Sequence, residues 1–125
     1  LRAGNSIVIF PECYGEHNNI VHDFQDKFVD LARFYYKKYG ETICFVPMYL
    51  APKLSRVFYG EPIRFDPTAP IADERRRICA ALMDAITDIA VNQPEHIVVP
   101  YPNIPKRDYP RNIPLEVYEN EKANV

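Results

Sequence analysis

Side chains that can carry acid–base or nucleophilic chemistry are concentrated in one short stretch, residues 11–23. Histidine exchanges protons near neutral pH, carboxylates accept or orient protons, and a cysteine thiolate is a strong nucleophile. The stretch contains Glu12, Cys13, Tyr14, Glu16, His17, Asn18, Asn19, His22 and Asp23. Because an apolar run directly precedes it, we expect this polar stretch to begin where a buried strand ends.

Glu12 has two interpretations at that position. Its carboxylate could accept hydrogen bonds from substrate hydroxyl groups or pair with an arginine. The structural alternative is a solvated loop acid or the N-cap of the helix that follows. The pattern alone leaves both interpretations open.

The histidines and the cysteine allow three further arrangements. His17 or His22 could act as a base that Asp23 orients. Cys13 beside these histidines allows a cysteine–histidine nucleophile of a hydrolase. Glu16 and the two histidines could hold a metal ion, although their spacing matches no established ligand pattern. No separate signature supports the nucleophile or the metal site, so both rank below the Glu12 hypothesis.

A run of three arginines, residues 75–77, occupies successive positions of a predicted helix. Successive helical side chains point around much of the circumference, so we expect a solvated face. Contact with a phosphate or a lipid headgroup is the functional alternative.

Composition sets the limits for these hypotheses. The 125 residues are 47% hydrophobic and 26% charged, which fits one globular domain or a piece of one. A net charge of −2 provides no bulk electrostatic argument for binding nucleic acid or an acidic membrane. The longest apolar run, residues 43–50, contains Pro47 and is too short to span a bilayer. The three cysteines form no disulfide framework, which favours a reducing compartment, and Cys44 and Cys79 are expected to be buried.

The order of the elements predicts an α/β fold with a largely parallel or mixed sheet and flanking helices. Residues 7–10 read as a strand buried on both faces, and further strands are predicted at 43–46, 56–59 and 63–65. Amphipathic helices are predicted over residues 23–39 and 70–92. Ligands bind such sheets beyond the carboxyl ends of the strands, which makes residues 11–22 the expected working loop.

The last quarter of the chain has a different character. Six of the twelve prolines lie from Pro94 onward, so no helix can continue there. A short edge strand at residues 96–99 is the one regular element expected. We therefore predict two regions: an α/β domain over 1–93 and an extended, proline-rich tail or linker over 94–125.

Four segments in order resemble the glycerol-3-phosphate and 1-acylglycerol-3-phosphate acyltransferases. Residues 1–12, ending in Phe10-Pro11-Glu12, look like the block that leads into the Phe-Pro-Glu-Gly motif of that family. Residues 23–32 resemble its Phe-x-x-Gly helix segment. Val46-Pro47-Met48 matches a strand ending in Val-Pro-Val, and Gly60-Glu61-Pro62-Ile63 matches a Gly-x-Pro-Ile segment. The resemblance covers residues 1–93 and closes on a helix like that of residues 76–90.

The chain also departs from the family at named positions. The glycine of Phe-Pro-Glu-Gly is Cys13 here, and the Thr-Arg-Ser continuation is Tyr14-Gly15-Glu16. Lys27 stands where the Phe-x-x-Gly glycine is expected. The catalytic Asn-His-x-x-x-x-Asp motif, which in the family precedes these segments, is expected upstream of Leu1. His17 and Asp23 have the wrong spacing and position to replace it.

The resemblance implies the later part of an acyltransferase domain, with no catalytic residue among these 125 and no activity of the chain alone. Its acceptor would be glycerol-3-phosphate or a lysophospholipid, and acyl-CoA, acyl carrier protein or acyl phosphate would be the donor, without a cofactor. The matching positions imply substrate-binding roles for Pro11, Glu12, Cys13, Lys27, Val46, Pro47 and Met48. Lipid substrates also imply a cytoplasmic location with peripheral contact at the inner membrane face. A non-catalytic binding module of the same fold is the alternative.

Overall fold

The computed structural model of the chain describes residues 1, 3–13, 20–21, 23–99, 103–114, 116–117 and 120. Within these residues the chain forms two α-helices and four short strands, with the strands paired into two small antiparallel sheets. The predicted α/β class is confirmed in this coarse form.

The first helix begins later than its apolar pattern predicts. We expected a helix over residues 23–39, whereas a 3₁₀ turn, Asp26–Val29, leads into helix α1, Asp30–Tyr39. Phe24 instead pairs with Glu12 across an isolated antiparallel bridge. A backbone that pairs with a second strand cannot also take helical dihedral angles, so this contact delays the start of the helix.

Gly40 ends the first helix and Pro70 precedes the second. Gly40 ends α1 with a left-handed φ of 70° and donates its N–H to the carbonyl of Tyr36 at 2.7 Å. Glycine adopts this conformation without a steric cost. Helix α2, Ile71–Val91, follows Pro70, whose missing N–H costs nothing at a helix start. Its bounds confirm the prediction for residues 70–92 to within one residue at each end.

The strands form one hairpin inside another. The inner pair is β2, Met48–Ala51, with β3, Arg56–Tyr59, and the outer pair is β1, Cys44–Phe45, with β4, Ile63–Arg64. The expected parallel pairing is wrong for these four strands. Only four residues connect β2 to β3, whereas a parallel pair needs a crossover of about a dozen residues or more.

The strand predicted at residues 7–10 is not present in the structure. These residues pair with no other described strand, and their side chains are 42–71% exposed. Composition predicted burial on both faces, but a strand forms only where a neighbour satisfies its backbone groups. Local sequence contains no information about that neighbour.

Helix α2 contributes side chains to two apolar clusters. The first core cluster consists of Val29, Ala32, Phe65, Ile78, Cys79 and Leu82. The second core cluster consists of Tyr49, Ala51, Ala90 and Val98. Cys79 is buried as expected, and burial raises the pKa of its thiol. Cys44 is exposed, contrary to expectation, because β1 is a two-residue strand at the edge of its sheet.

The proline-rich tail makes contacts across the predicted boundary after residue 93. Val98 belongs to the second core cluster, and its N–H donates to the carbonyl of Pro110 at 2.8 Å. Asn112 is 3% exposed, and its side-chain amide donates to the carbonyl of Ala90, in the last turn of α2, at 2.7 Å. The tail is therefore attached to the end of α2, while its separation as a second domain stays a prediction.

Candidate functional site

The predicted working loop is closed at its base by backbone pairing. Cys13 donates its N–H to the carbonyl of Asp23 at 2.7 Å, and Gln25 donates to the carbonyl of Pro11 at 2.8 Å. Between these two bonds, Glu12 and Phe24 form the antiparallel bridge. These contacts fix the backbone on both sides of Glu12, so its side chain starts from a defined position.

The three residues at this base differ in exposure. Glu12 is exposed, while Pro11 and Cys13 are half-buried. Glu12 and Cys13 each take part in further interactions. An exposed carboxylate on a fixed backbone is accessible to a polar ligand, whose hydroxyl groups would replace the water that solvates it. Tyr14 to Asn19 and His22 lie outside the described residues, and with them the hypotheses that depend on Glu16, His17 and His22.

Aromatic rings connect the loop base to strand β1. Phe24, which bridges to Glu12, lies 6.2 Å from the ring of Phe28, and Phe28 lies 5.6 Å from the ring of Phe45. Both ring pairs are edge-to-face, the arrangement that aromatic quadrupoles favour. Phe24, Phe28 and Phe45 all pack against the first core cluster, so these rings connect the loop base to the strand that precedes Val46.

Val46, Pro47 and Met48 have three different environments. Pro47 is fully buried, Met48 is half-buried and Val46 is 48% exposed. Gly60 donates its N–H to the carbonyl of Pro47 at 2.9 Å, and a Cβ atom at Gly60 would lie 3.2 Å from the Pro47 ring. This close approach explains a glycine at position 60 and fixes the path of the chain through Pro47. Lys27 lies exposed in the 3₁₀ turn that precedes α1.

The arginine run is used for ion pairs within the fold. Arg75 contacts both carboxylate oxygens of Asp30 in α1, at 2.9 and 2.8 Å. This pairing lowers the pKa of the Asp30 carboxyl. Arg76 pairs with Asp73 one turn earlier in the same helix and is 76% exposed. Because these two guanidinium groups already have carboxylate partners, phosphate binding by the run gains no support.

Arg77, the third member, holds a buried carboxylate. Two of its nitrogens donate to Glu74 at 2.5 and 2.8 Å, and Glu74 is 2% exposed. The backbone N–H of Asp66 donates to the same carboxylate at 2.6 Å. The hydrogen bonds from Arg77 are the main reason that the pKa of Glu74 is lowered. This cluster fastens the segment after β4 to the first turns of α2.

A second polar cluster was missed by sequence reasoning. The ring of His96 is buried, with Nδ1 2.7 Å from the carbonyl oxygen of Pro94 and Nε2 2.6 Å from the hydroxyl of Tyr49. A carbonyl only accepts, so Nδ1 carries the proton, and in the neutral ring Nε2 accepts from the hydroxyl. Burial raises the pKa of Tyr49 to about 12, which keeps the phenol protonated.

This buried pair serves the packing of the tail better than proton transfer. Both nitrogens of His96 are used in hydrogen bonds, and Tyr49 is 4% exposed, so a ligand in solvent has no direct access to either. The one signal in the sequence was a histidine preceding an apolar run, which favours burial and demands a partner. Nothing in the local sequence identified Tyr49, 47 residues earlier, as that partner.

Two negative findings concern metal ligands and membrane-spanning helices among the described residues. No three His, Cys, Asp or Glu side chains among them are grouped closely enough to hold a metal ion. Neither helix in the described part of the chain combines the length and apolar character needed to cross a bilayer.

Comparison of the chain with protein-family models, with curated proteins and with solved structures finds no match.

Proposed function

We propose that this chain is the acceptor-binding part of a glycerolipid acyltransferase domain. In this proposal a fatty acyl group moves to a hydroxyl of glycerol-3-phosphate or of a lysophospholipid. The observation that carries the proposal is the order of the four matching segments, from Phe10-Pro11-Glu12 to Gly60-Glu61-Pro62-Ile63. Each motif alone is short, and their combination in one order is more specific.

The geometry around Glu12 supports this proposal. Glu12 is exposed at the end of an apolar segment, and backbone bonds on either side hold its main chain in place. A carboxylate in such a position accepts hydrogen bonds from the hydroxyl groups of a glycerol-based acceptor. Pro11 shapes the entry to the loop, and the buried Pro47 fixes the chain from which Val46 and Met48 extend.

The chemical step requires a base. The acceptor hydroxyl loses its proton as its oxygen attacks the acyl carbonyl carbon, and the thiol or phosphate of the donor leaves with a proton. In the resembling family a histidine of Asn-His-x-x-x-x-Asp takes the acceptor proton, and that motif does not occur within these 125 residues. We therefore expect acceptor binding, and no acyl transfer, from this chain alone.

Titration calorimetry with glycerol-3-phosphate and with 1-acylglycerol-3-phosphate tests the proposal. We expect Glu12→Gln to weaken binding by about 1–1.5 kcal/mol, or roughly 5- to 12-fold, because Gln keeps an acceptor oxygen but loses the charge that strengthens the hydrogen bond. Glu116→Gln, which changes an exposed carboxylate in the tail, is the matched control. Equal affinities for the two variants would mean that Glu12 does not bind the acceptor. Acyl transfer by the chain alone would show that these 125 residues contain the base.

The departure at Cys13 favours one alternative, a binding module of this fold without catalysis. Cys13 replaces the glycine of the resembling motif, and no arginine follows it in the loop. A parent protein that binds the acceptor but transfers no acyl group would support this alternative. A hydrolase that uses Cys13 as its nucleophile is tested by thiol alkylation, which would abolish its activity.

A further inference from the structure

The inner hairpin has an apolar face that no described residue covers. Directly opposite residues in an antiparallel pair project to the same side of the sheet. The register pairs Met48 with Tyr59 and Leu50 with Val57, so these four side chains share one face, called here the hairpin face. Leu50, Val57 and Tyr59 are 48%, 43% and 69% exposed. The opposite face carries Tyr49, which is buried in the second core cluster.

Basic residues stand at the turn of this hairpin. Lys53 lies in the turn, and Arg56 pairs with Ala51, so it projects to the side opposite the hairpin face. Both are exposed, and among the described residues neither takes part in an ion pair. Residues 46–60 contain no aspartate or glutamate, whereas the other 110 residues carry 13 basic and 17 acidic side chains. The hairpin is thus a cationic and apolar region of an otherwise acidic chain.

The size of the hairpin face argues against a protein occupant. Two strands of four residues cover roughly 130 Å² in the plane of the sheet, by the usual strand spacing and rise. A specific protein interface buries about 800 Å² on each partner. A bilayer surface needs no such area, because apolar side chains enter it individually and basic side chains are attracted to anionic headgroups.

We propose that the hairpin face docks the chain on an anionic lipid bilayer. Leu50, Val57 and Tyr59 enter the boundary between headgroups and acyl chains, and Lys53, in the turn, contacts the anionic headgroups. This inference does not rest on the proposed acyl transfer, since it needs only a peripheral surface. Where both hold, the hairpin keeps the acceptor site at the surface that contains its lipid substrates.

Co-sedimentation with vesicles tests the proposal, using phosphatidylcholine alone and phosphatidylcholine mixed with phosphatidylglycerol. We expect the chain to bind the anionic vesicles more strongly and to lose this preference at high salt. The variant Lys53→Gln should bind the anionic vesicles roughly 5-fold more weakly. The control Lys37→Gln removes the same charge from α1 and should bind within about twofold of the unmodified chain.

A second pair of variants tests the apolar contact. Leu50→Ser/Val57→Ser should lower binding to both kinds of vesicle. Phe34→Ser, at an exposed position of α1, and Val8→Ser, in the exposed segment of residues 7–10, should leave it unchanged. All the substituted side chains are exposed, and circular dichroism checks that the fold is retained.

Three outcomes would overturn the proposal. One is a chain that does not sediment with anionic vesicles. Another is loss of binding in Val8→Ser with full binding in the hairpin variants. The third is a dimer, seen by light scattering, that Leu50→Ser/Val57→Ser converts to a monomer without any change in vesicle binding. Glu12→Gln should leave vesicle binding intact, and the hairpin variants should leave glycerol-3-phosphate affinity intact, so the two proposals can fail separately.

Discussion

The two ends of helix α2 are attached to the rest of the molecule by different kinds of contact. At its beginning, Arg75 and Arg77 bind the carboxylates of Asp30 and Glu74. At its end, the neutral amide of Asn112 donates to backbone carbonyls. The first region uses charges at the edge of the first core cluster, and the second uses uncharged groups inside the fold.

Exposure determines what each kind of contact contributes. An ion pair contributes little where both charges are exposed, as for Arg76 and Asp73, because water already solvates them and salt screens them. A buried amide contributes more, because its removal leaves several backbone groups without water or a partner. The number of charged groups at each end of α2 therefore does not indicate which end's contacts contribute more to the free energy of unfolding.

The largest effect is expected at Asn112. Its Nδ2 donates to the carbonyls of Ala90, Gln93 and Pro94, and its Oδ1 accepts from the N–H of His96 at 2.7 Å. Asn112→Ala leaves these groups unsatisfied, so we expect the free energy of unfolding to fall by about 2–4 kcal/mol in urea denaturation.

Asn92→Ala is the control for this change. Asn92 is exposed and donates to the single carbonyl of Asp88 at 2.8 Å, so its loss should cost less than about 1 kcal/mol. Equal costs for Asn92→Ala and Asn112→Ala would mean that the tail does not stabilise the end of α2.

An intermediate effect that depends on pH is expected at Glu74. Glu74→Gln keeps an acceptor for the N–H of Asp66 but loses the charge that binds Arg77, so unfolding should become easier by about 1–2 kcal/mol at neutral pH. The folded pKa of Glu74 is lowered from its ordinary value of 4.5. Its contribution is therefore complete above pH 4.5 and is lost as the pH falls through the folded pKa.

Urea denaturation from neutral pH to below 4.5 measures this dependence. The difference between the unmodified chain and Glu74→Gln should shrink as the pH falls. Asp84→Asn, which changes an exposed carboxylate of the same helix, should show no such trend. A difference that stays constant with pH would mean that the ionised form of Glu74 does not stabilise the fold.

The smallest effects are expected within the arginine run. Arg75→Gln breaks the two-point contact with Asp30 that joins α1 to α2, and should lower the free energy of unfolding by about 0.5–1 kcal/mol. Arg76→Gln, at a position that is 76% exposed, should change it by less than about 0.3 kcal/mol. Chemical denaturation at low and high salt checks both, and the cost at Arg75 should decrease with salt.

Reversal of this order would change the comparison. If Arg76→Gln were as costly as Arg75→Gln, the local pair within α2 would matter as much as the link between the helices. The charged end of α2 would then be stabilised by the helix itself and not by its contact with α1.

Sequence patterns predicted those elements whose reasons are local. The 3.6-residue apolar repeat, Pro70 at the start and acidic residues in the first turn were enough to predict α2. Gly40 correctly marked the end of α1. For Glu12, the sequence indicated a polar loop after an apolar segment, and both the loop and the role of Glu12 in binding stay predictions.

Predictions that required a partner distant in sequence were less reliable. Residues 7–10 have the composition of a buried strand but are exposed, because the described chain provides no strand beside them. The predicted start of the first helix was wrong because Phe24 pairs with Glu12 instead. Residues 96–99 were predicted to form a short edge strand, and of these Ile97 forms an isolated antiparallel bridge with Arg111. The contact of the His96 ring with Tyr49 was not predicted.

The sequence by itself determined helix α2, the end of α1 at Gly40 and the polar stretch after the first apolar run. These features follow from dihedral preferences, periodicity and composition, which act over a few residues. Tertiary structure alone decided the use of the arginine run, the attachment of the tail through Asn112 and the apolar side of the hairpin that is left uncovered. Such contacts depend on which distant groups exclude water from one another, and local sequence contains no record of that pairing.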